Sequence, residues 1–327
     1  MAFEPPRRLV RALGETAPEG DDWLEKLPGL AREAVERREL TVERVQLPGG
    51  RSSLVVLVRR ADGTPAVLKL APPRARPQSE RVALAHWGGR GAVQLLEPVS
   101  EGAEGAEGSE GVLLLERLHP DVSVRTLPEA KALLEAAGTL RRLWVDPPEG
   151  HVFETVAERT GRQAKAMRAG ADAAPEVAPL VDAALSAREE LLDSPPEHRL
   201  LHGTFRQSKV LSGDRMPWLA VGPDPVVGEH AFDLARLVRD RVEDLIAQPS
   251  GATTTRRRVR RLAESLEVDR DRLRGWTLFR AVESGVPPPR GGRRPVPEEG
   301  AVVACGGWGP PQGAGDRRGR VAPWRMC

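Results

Sequence analysis

Residues 54–70 read LVVLVRRADGTPAVLKL, two apolar runs joined by Asp-Gly. Asp-Gly between apolar runs is a strong signal for a β-hairpin, because both residues accept the backbone angles of a tight turn. Residues 41–47 alternate apolar and polar side chains, and further apolar runs lie at 92–99 and 111–118. Together these segments predict a small five-stranded antiparallel sheet.

Helical periodicity dominates the rest of the chain. It predicts a helical extension over residues 1–40 and a short helix at 77–88. Longer helices are predicted at 127–144, 152–169, 175–192, 253–268 and 270–285. The predicted fold class is therefore α+β and bilobal, with a strand-rich domain at 1–118 and a mainly helical domain at 119–285.

Composition favours an ordinary cytoplasmic protein. Lys plus Arg (49) nearly balances Asp plus Glu (47), so the net charge argues neither for nor against binding to nucleic acid. Cys305 and Cys327 are the only cysteines, which fits a reducing compartment. No run approaches the roughly 20 apolar residues that cross a bilayer, so no membrane partner is expected.

Two segments have biased composition. Residues 100–111, SEGAEGAEGSEG, are acidic and glycine-rich, and we expect a mobile hairpin tip there. Residues 286–327 hold eight Pro and nine Gly, which predicts a disordered tail. Whether this tail is natural or a frameshift relic stays open.

Residues 200–211, LLHGTFRQSKVL, and 219–241, LAVGPDPVVGEHAFDLARLVRDR, carry a family resemblance. They resemble the catalytic loop H-G-D-L-H-x-x-N-V-L and the metal-binding segment W-L-A-I-D-P-K-P-V-V-G-D-x-A-x-D-L-A of aminoglycoside phosphotransferases. RRADGTPAVLKL, LLEAAGTLRRLW and RLRGWTLFRAVESG point to the branch of streptomycin 6-kinases and hydroxyurea phosphotransferases. The resemblance implies a protein-kinase-like fold, a role in antibiotic resistance, and ATP-dependent phosphate transfer to a hydroxyl of a small antibiotic-like molecule.

The resemblance places an ATP site on the strand-rich half. Lys69 would contact the α- and β-phosphates and Glu80 would pair with it, although a lone strand lysine is more often simply solvated. The loop at 48–53 could cover phosphates with its backbone N–H groups, and a plain turn is an equal alternative. Residues 116–118 would be the hinge that meets the adenine. The expected ATP-binding residues are Gly49, Gly50, Ser52, Ser53, Lys69, Glu80, Glu116 and Leu118.

Three chemical positions of the family pattern are exchanged. Thr204 stands at the catalytic Asp position, Lys209 at the metal-binding Asn position and Gly222 at the metal-binding Asp position. Thr204 cannot act as a base near neutral pH, and losing general-base help costs about 10²–10⁴-fold in rate. Mg²⁺ prefers oxygen ligands that include a carboxylate, so ATP is the expected cofactor and Mg²⁺ is in question. Asp224, or the more distant Glu229, could be a substitute metal ligand.

These exchanges leave two functions open. One is a weak or impaired kinase, and the other is a pseudokinase that binds nucleotide or ligand without transfer. Lys209 and Arg206 could replace part of the metal's charge, and the rival reading is an empty cleft. The catalytic candidates are Thr204, Arg206, Lys209 and Asp224, while Asp233 is expected to brace the loop backbone.

A basic run at 256–261 could bind nucleic acid. Its helical spacing with Glu264 and Glu267 favours a solvated helix face instead. The expected partner is therefore a small-molecule substrate or a nucleotide. The sequence contains no Walker A loop, zinc pattern or dinucleotide fingerprint.

Overall fold

The computed structural model describes residues 3–15, 17–97, 111–241 and 250–286. Of the predicted disordered tail at 286–327, residues 287–327 lie outside the described residues, and so do residues 100–110 of the glycine-rich segment. The chain divides into two compact units. The first contains the described residues up to Thr155 and Glu197–Asp233, and the second contains Val156–Pro196 and the described residues from Leu234 onward. The domain boundary predicted at residue 118 stays a prediction.

The first unit is built on a four-stranded antiparallel sheet. Its strands are β1 (Thr41–Val45), β2 (Leu54–Arg59), β3 (Pro65–Leu70) and β4 (Val112–Glu116), in that order across the sheet. The Asp-Gly turn joins β2 to β3 as predicted. There the Arg60 N–H donates to Thr64 O at 3.0 Å, and the Thr64 N–H donates to Asp62 Oδ1 at 2.9 Å.

One face of this sheet forms the core of the first unit. Ala66, Leu68 and Leu70 of β3 are fully or almost fully buried, because alternate side chains of a strand point to the same face. Helices α1 (Arg7–Gly14) and α2 (Trp23–Arg37) cover this face with apolar side chains. The intervening position Lys69 is thereby directed to the opposite face of the sheet.

The fifth predicted strand is present only as isolated bridges. Leu95 pairs with Leu115 of β4, and Ala92 pairs with Ala220. This segment divides its hydrogen bonds between two partners, since the Leu96 N–H donates to Leu114 O and the Val93 N–H donates to Ala220 O, both at 2.9 Å. A segment shared in this way cannot form a regular ladder with either neighbour, and residues 98 and 99 lie outside the described part of the chain.

Short strands and the helices α3 and α4 complete the part of the first unit that positions the site. Helix α3 (Pro77–Trp87) precedes the bridging segment, and α4 (Glu129–Arg141) follows β5 (His119–Ser123). Strand β6 (Arg199–Leu201) pairs with β9 (Val226–Gly228), and β5 pairs with β7 (Val210–Ser212), which pairs with β8 (Leu219–Ala220). These two small sheets hold the segments that carry the exchanged family positions.

The second unit is helical. It contains α5 (Val156–Ala173), α6 (Ala178–Asp193), the later turns of α7 (His230–Val238), α8 (Gly251–Leu266) and α9 (Arg270–Gly285). Helix α9 has the predicted bounds and is capped by the Asp269 carboxylate, which accepts the N–H groups of Asp271 and Arg272 at 2.9 and 2.8 Å. Helix α5 begins four residues later than predicted, because Glu154 O accepts the Val227 N–H at 2.9 Å and Thr155 pairs with β9.

The arginines of α8 divide between its two faces. Arg258 is buried and donates to the backbone oxygens of Asp240 and Val238 at 2.6 and 3.2 Å. The others are exposed, namely Arg256, Arg257, Arg260 and Arg261. Among the described helices, none combines the length and apolar character that a membrane span requires.

Candidate functional site

Lys69 and Glu80 form an ion pair beside the main sheet. Lys69 Nζ lies 2.6 Å from Glu80 Oε1 and also contacts Oε2, and only 4 % of Glu80 is exposed. Strand β3 supplies the lysine and the first turn of α3 supplies the carboxylate. A carboxylate this deeply buried needs a cation, so the pair fixes the direction of the lysine side chain.

The predicted phosphate-covering loop is a tight connection between β1 and β2. Gly49 has a φ of +77°, and a Cβ there would lie 2.8 Å from Pro6 Cγ, so the chain packs too closely for any other residue. Ser53 is buried, whereas Ser52 is exposed. Close packing against Pro6 therefore explains why a glycine stands at position 49 without any reference to phosphate binding. That this loop covers the phosphates of a nucleotide stays a prediction.

The predicted hinge is tied to two other segments. The Glu116 carboxylate accepts hydrogen bonds from Arg215 Nη2 at 2.9 Å and from the Gln94 N–H at 3.0 Å. The Glu116 N–H donates to Gln94 O at 2.9 Å. Leu118 is buried, with its Cδ2 close to Gly213. Glu116 and Leu118 therefore each contact other parts of the protein. Their contact with an adenine ring stays a prediction.

Asp233 braces the loop that begins at His202. Its side chain is fully buried, and its two oxygens accept the N–H groups of His202 and Gly203 at 2.8 and 2.9 Å. The expected bracing role of Asp233 is therefore present. Both oxygens bond to the loop backbone, so Asp233 holds the start of the loop in place.

The three exchanged positions meet in one hydrogen-bonded cluster. Lys209 Nζ donates to Thr204 Oγ1 at 2.6 Å and to Gly222 O at 2.7 Å. The Thr204 hydroxyl in turn donates to Gly222 O at 3.3 Å. The predicted catalytic candidates Thr204 and Lys209 are thus brought together, whereas Arg206 is exposed on the same loop.

Asp224 is held by an arginine from another part of the unit. Its Oδ1 pairs with Arg76 Nη2, and Arg76 Nη1 lies 2.6 Å from Glu154 Oε2. The Asp224 N–H also donates to His202 O at 3.0 Å. The carboxylate predicted as a substitute metal ligand is therefore paired with a guanidinium.

The groups at Lys209, Gly222 and Asp224 do not form a site that fits Mg²⁺. The two usual ligand positions offer an ammonium and a glycine carbonyl, and the nearby carboxylate is engaged by Arg76. Within residues 3–15, 17–97, 111–241 and 250–286, no group of three or more His, Cys, Asp or Glu side chains could hold a metal ion. A divalent ion prefers carboxylate and other oxygen ligands, and a neighbouring ammonium repels it.

Comparison with known proteins decides the family. The family model described as aminoglycoside/hydroxyurea antibiotic resistance kinase matches residues 38–292 of this chain. The chain belongs to this family. The resemblance predicted from the sequence is thereby confirmed.

Relatives within the aminoglycoside/hydroxyurea kinase family cover most of the chain. A streptomycin 6-kinase of Streptomyces griseus is 37 % identical over 272 residues, 81 % of this chain and 84 % of the relative. A hydroxyurea phosphotransferase of Kitasatospora aureofaciens is 35 % identical over 291 residues, 87 % of this chain and 80 % of the relative.

Solved structures support the fold. The aminoglycoside phosphotransferase APH(4)-Ia matches with a TM-score of 0.54 at 16 % identity, over 79 % of this chain and 90 % of its own. A thermostable mutant of it, in a ternary complex with ADP and hygromycin B, matches with a TM-score of 0.51 at 16 % identity, over 77 % of this chain and 88 % of its own. The predicted α+β, protein-kinase-like fold is confirmed.

Sequence reasoning missed Arg76 and Arg215. Arg76 lies 78 and 148 residues from its two partners, and Arg215 lies 99 residues from Glu116. No local pattern marks either arginine, because their contacts depend on how distant segments fold together.

Proposed function

We propose that this protein binds ATP and transfers phosphate, at a strongly reduced rate, to a hydroxyl of a small antibiotic-like molecule. An aminoglycoside or hydroxyurea is the expected acceptor class. The proposal is supported by the family match and by the names of the two relatives, a streptomycin 6-kinase and a hydroxyurea phosphotransferase. Nucleotide binding is further supported by the mutant of APH(4)-Ia that is in complex with ADP and hygromycin B.

The Lys69–Glu80 pair is the observation that carries this proposal. Phosphoryl transfer depends on positioning and on charge at the phosphates more than on covalent help from the protein. A strand lysine oriented by a helix glutamate is the arrangement that clamps nucleotide phosphates in kinases. Here Nζ lies 2.6 Å from the Glu80 carboxylate, so its direction is set before a nucleotide arrives.

Thr204 explains why the rate should be low. Its hydroxyl accepts from Lys209 at 2.6 Å and donates to Gly222 O at 3.3 Å. A neutral hydroxyl is far too weak a base to take the proton of an acceptor alcohol near neutral pH, and here its own proton is already engaged by Gly222 O. Losing a general base lowers the rate by about 10²–10⁴-fold.

A second candidate is a pseudokinase that binds nucleotide without transfer. The Thr204–Lys209–Gly222 cluster favours it, because all three chemical positions are used to hold one another. The two candidates share the nucleotide site and differ only in turnover. The cytoplasmic location predicted from the composition stays a prediction.

Nucleotide binding and product formation test these candidates together. We expect Lys69→Met to weaken ADP binding by about tenfold or more, since a charge-assisted contact to phosphate is lost. Lys131→Met, at an exposed position of α4, is the matched control and should bind like the wild type. Because Lys69→Met removes the cation beside buried Glu80, the double variant Lys69→Met/Glu80→Gln is measured too, with thermal unfolding as the folding check.

Turnover is measured by mass spectrometry of streptomycin, hygromycin B and hydroxyurea after incubation with ATP. Slow phosphorylation of one acceptor supports the kinase. Lys69-dependent binding without any phosphorylated product supports the pseudokinase. Absence of ADP and ATP binding contradicts both.

A further inference from the structure

The ammonium of Lys209 is anchored more firmly than a surface lysine. Its main chain is bonded on both sides, because the Lys209 N–H donates to Arg206 O and Lys209 O accepts the Val221 N–H, each at 2.9 Å. Its side chain then reaches Gly222 O at 2.7 Å and Thr204 Oγ1 at 2.6 Å. Backbone and side chain of one residue therefore both attach to the segment at 221–222.

The ammonium lies close to the place of a side chain at position 222. Gly222 has a φ of +61°, and a Cβ built on it would lie 3.8 Å from Lys209 Nζ. A carboxylate at this position would therefore lie near the ammonium. Lys209 and Gly222 therefore change the same small region. The family pattern has two metal ligands there, and this chain has an ammonium beside a residue without a side chain.

We propose that the Lys209 ammonium supplies the positive charge that a divalent ion would otherwise bring to the nucleotide phosphates. A nucleoside di- or triphosphate then binds this protein without Mg²⁺. The proposal rests on the nucleotide binding proposed above and deepens it. An ammonium is a compact point charge with three donors, and lysine is a common phosphate ligand.

Two acidic groups near the loop are engaged in ways that agree with a metal-free site. Asp233 holds two backbone N–H groups, and Asp224 pairs with Arg76. Arg206, which the sequence made an equal candidate for replacing the metal's charge, is exposed, whereas Lys209 is partly buried in the cluster. Lys209 is therefore the residue that carries the proposal.

The dissociation constant of ADP, measured by calorimetry in Mg²⁺ and again in EDTA, tests it. For the wild type we expect the two values to agree within about threefold, because the protein's own cation is present in both. Lys209→Gln keeps a donor for Gly222 O and removes the charge, so ADP binding in EDTA should weaken by about tenfold or more. Lys209→Arg retains the charge and should bind ADP in EDTA more tightly than Lys209→Gln.

The controls separate this inference from the proposed function. Lys131→Gln removes an exposed lysine on α4 and should leave both constants unchanged. Wild-type binding that needs Mg²⁺, or unchanged binding by a folded Lys209→Gln, overturns the inference and leaves the proposed function standing. Absence of ADP binding in both buffers overturns the proposed function and the inference with it. The wild-type comparison needs no variant, so it stands even where Lys209→Gln lowers the thermal unfolding temperature.

Discussion

His230 is a partly buried histidine at the start of α7. Its ring stacks on the indole of Trp144 with centroids 4.2 Å apart, and its Nδ1 lies 3.3 Å from Glu197 Oε1. Burial lowers the pKa of His230 below its usual 6.5, against the opposing effect of Glu197 and, more weakly, Glu229. Arg199 adds to the lowering. The folded protein therefore favours the neutral imidazole.

A depressed histidine pKa makes stability depend on pH. Between the unfolded pKa near 6.5 and the lower folded pKa, the unfolded chain binds more protons than the folded one. The contribution of neutral His230 to the free energy of unfolding is therefore fully present above pH 6.5. It is lost as the pH falls from 6.5 through the lower pKa of the folded protein. In urea unfolding between pH 8 and pH 5, we expect His230→Gln to lose less stability on acidification than the wild type. His198→Gln, at an exposed position, should follow the wild-type curve, and parallel curves for His230→Gln and the wild type would contradict the assignment.

Part of the candidate site could be predicted from the sequence, and the rest became visible only in the contacts of the folded chain. The family resemblance, together with the hairpin before Lys69 and the helix that carries Glu80, was enough to pair these two residues, because both lie in neighbouring elements of the chain. The Lys209 contact with Gly222 could not be read in advance. Glycine has no side chain to suggest a partner, and the Lys209 ammonium binds its backbone carbonyl, a group that every residue carries and that the sequence therefore does not mark.

At the scale of elements, Arg117 joins the strands of the main sheet. It follows β4 directly and donates to Val58 O of β2 at 2.7 Å and to Ala66 O of β3 at 3.0 Å. Its Nη1 also lies 3.0 Å from Glu43 Oε2 of β1. One guanidinium thus bonds to three strands, and its hydrogen bond is the main cause that lowers the pKa of Glu43.

Replacing Arg117 should loosen the sheet. Arg117→Leu removes three hydrogen bonds, of which one is an ion pair, and we expect a loss of about 2–3 kcal/mol in the free energy of unfolding. The pKa of Glu43 should rise toward its ordinary value in the same variant. Urea unfolding gives the first quantity and carboxyl NMR titration the second. Arg60→Leu is the control: Arg60 is exposed and lies 3.8 Å from the exposed carboxylate of Asp62, so its loss should change stability by about 0.5 kcal/mol or less.

Periodicity predicted the types of the elements better than their ends. The hairpin and α9 follow from local signals, an Asp-Gly turn and an aspartate cap, and both appear where expected. The start of α5 differs from the prediction, because residues 154–155 pair with β9. The fifth strand also differs, because residues 92–96 divide their hydrogen bonds between two segments. Pairing with residues distant in the sequence overrides local propensity at these ends.

At the scale of the whole molecule, the family's scaffold is retained while the residues at three positions of its sequence pattern are exchanged. The family model spans residues 38–292, and the two relatives align over more than four fifths of the chain. The Lys69–Glu80 pair and the Asp233 brace are both formed. Thr204, Lys209 and Gly222 depart from the pattern, and all of them lie in the first compact unit. Restoring three side chains is therefore a test of whether the rest of the molecule is still a kinase.

The triple variant Thr204→Asp/Lys209→Asn/Gly222→Asp should gain phosphotransferase activity. It returns a carboxylate to the base position, worth about 10²–10⁴-fold in rate, and gives the loop the oxygen ligands that it lacks. Aspartate tolerates the left-handed backbone at position 222 better than most residues, so the fold should persist at a small cost in stability. Phosphorylation of streptomycin, hygromycin B and hydroxyurea is followed by mass spectrometry. The double variant Lys209→Asn/Gly222→Asp is the matched control, since it restores the oxygen ligands without the base and should form far less product. A folded triple variant that forms no more product than the wild type would show that the loss of chemistry extends beyond these three residues.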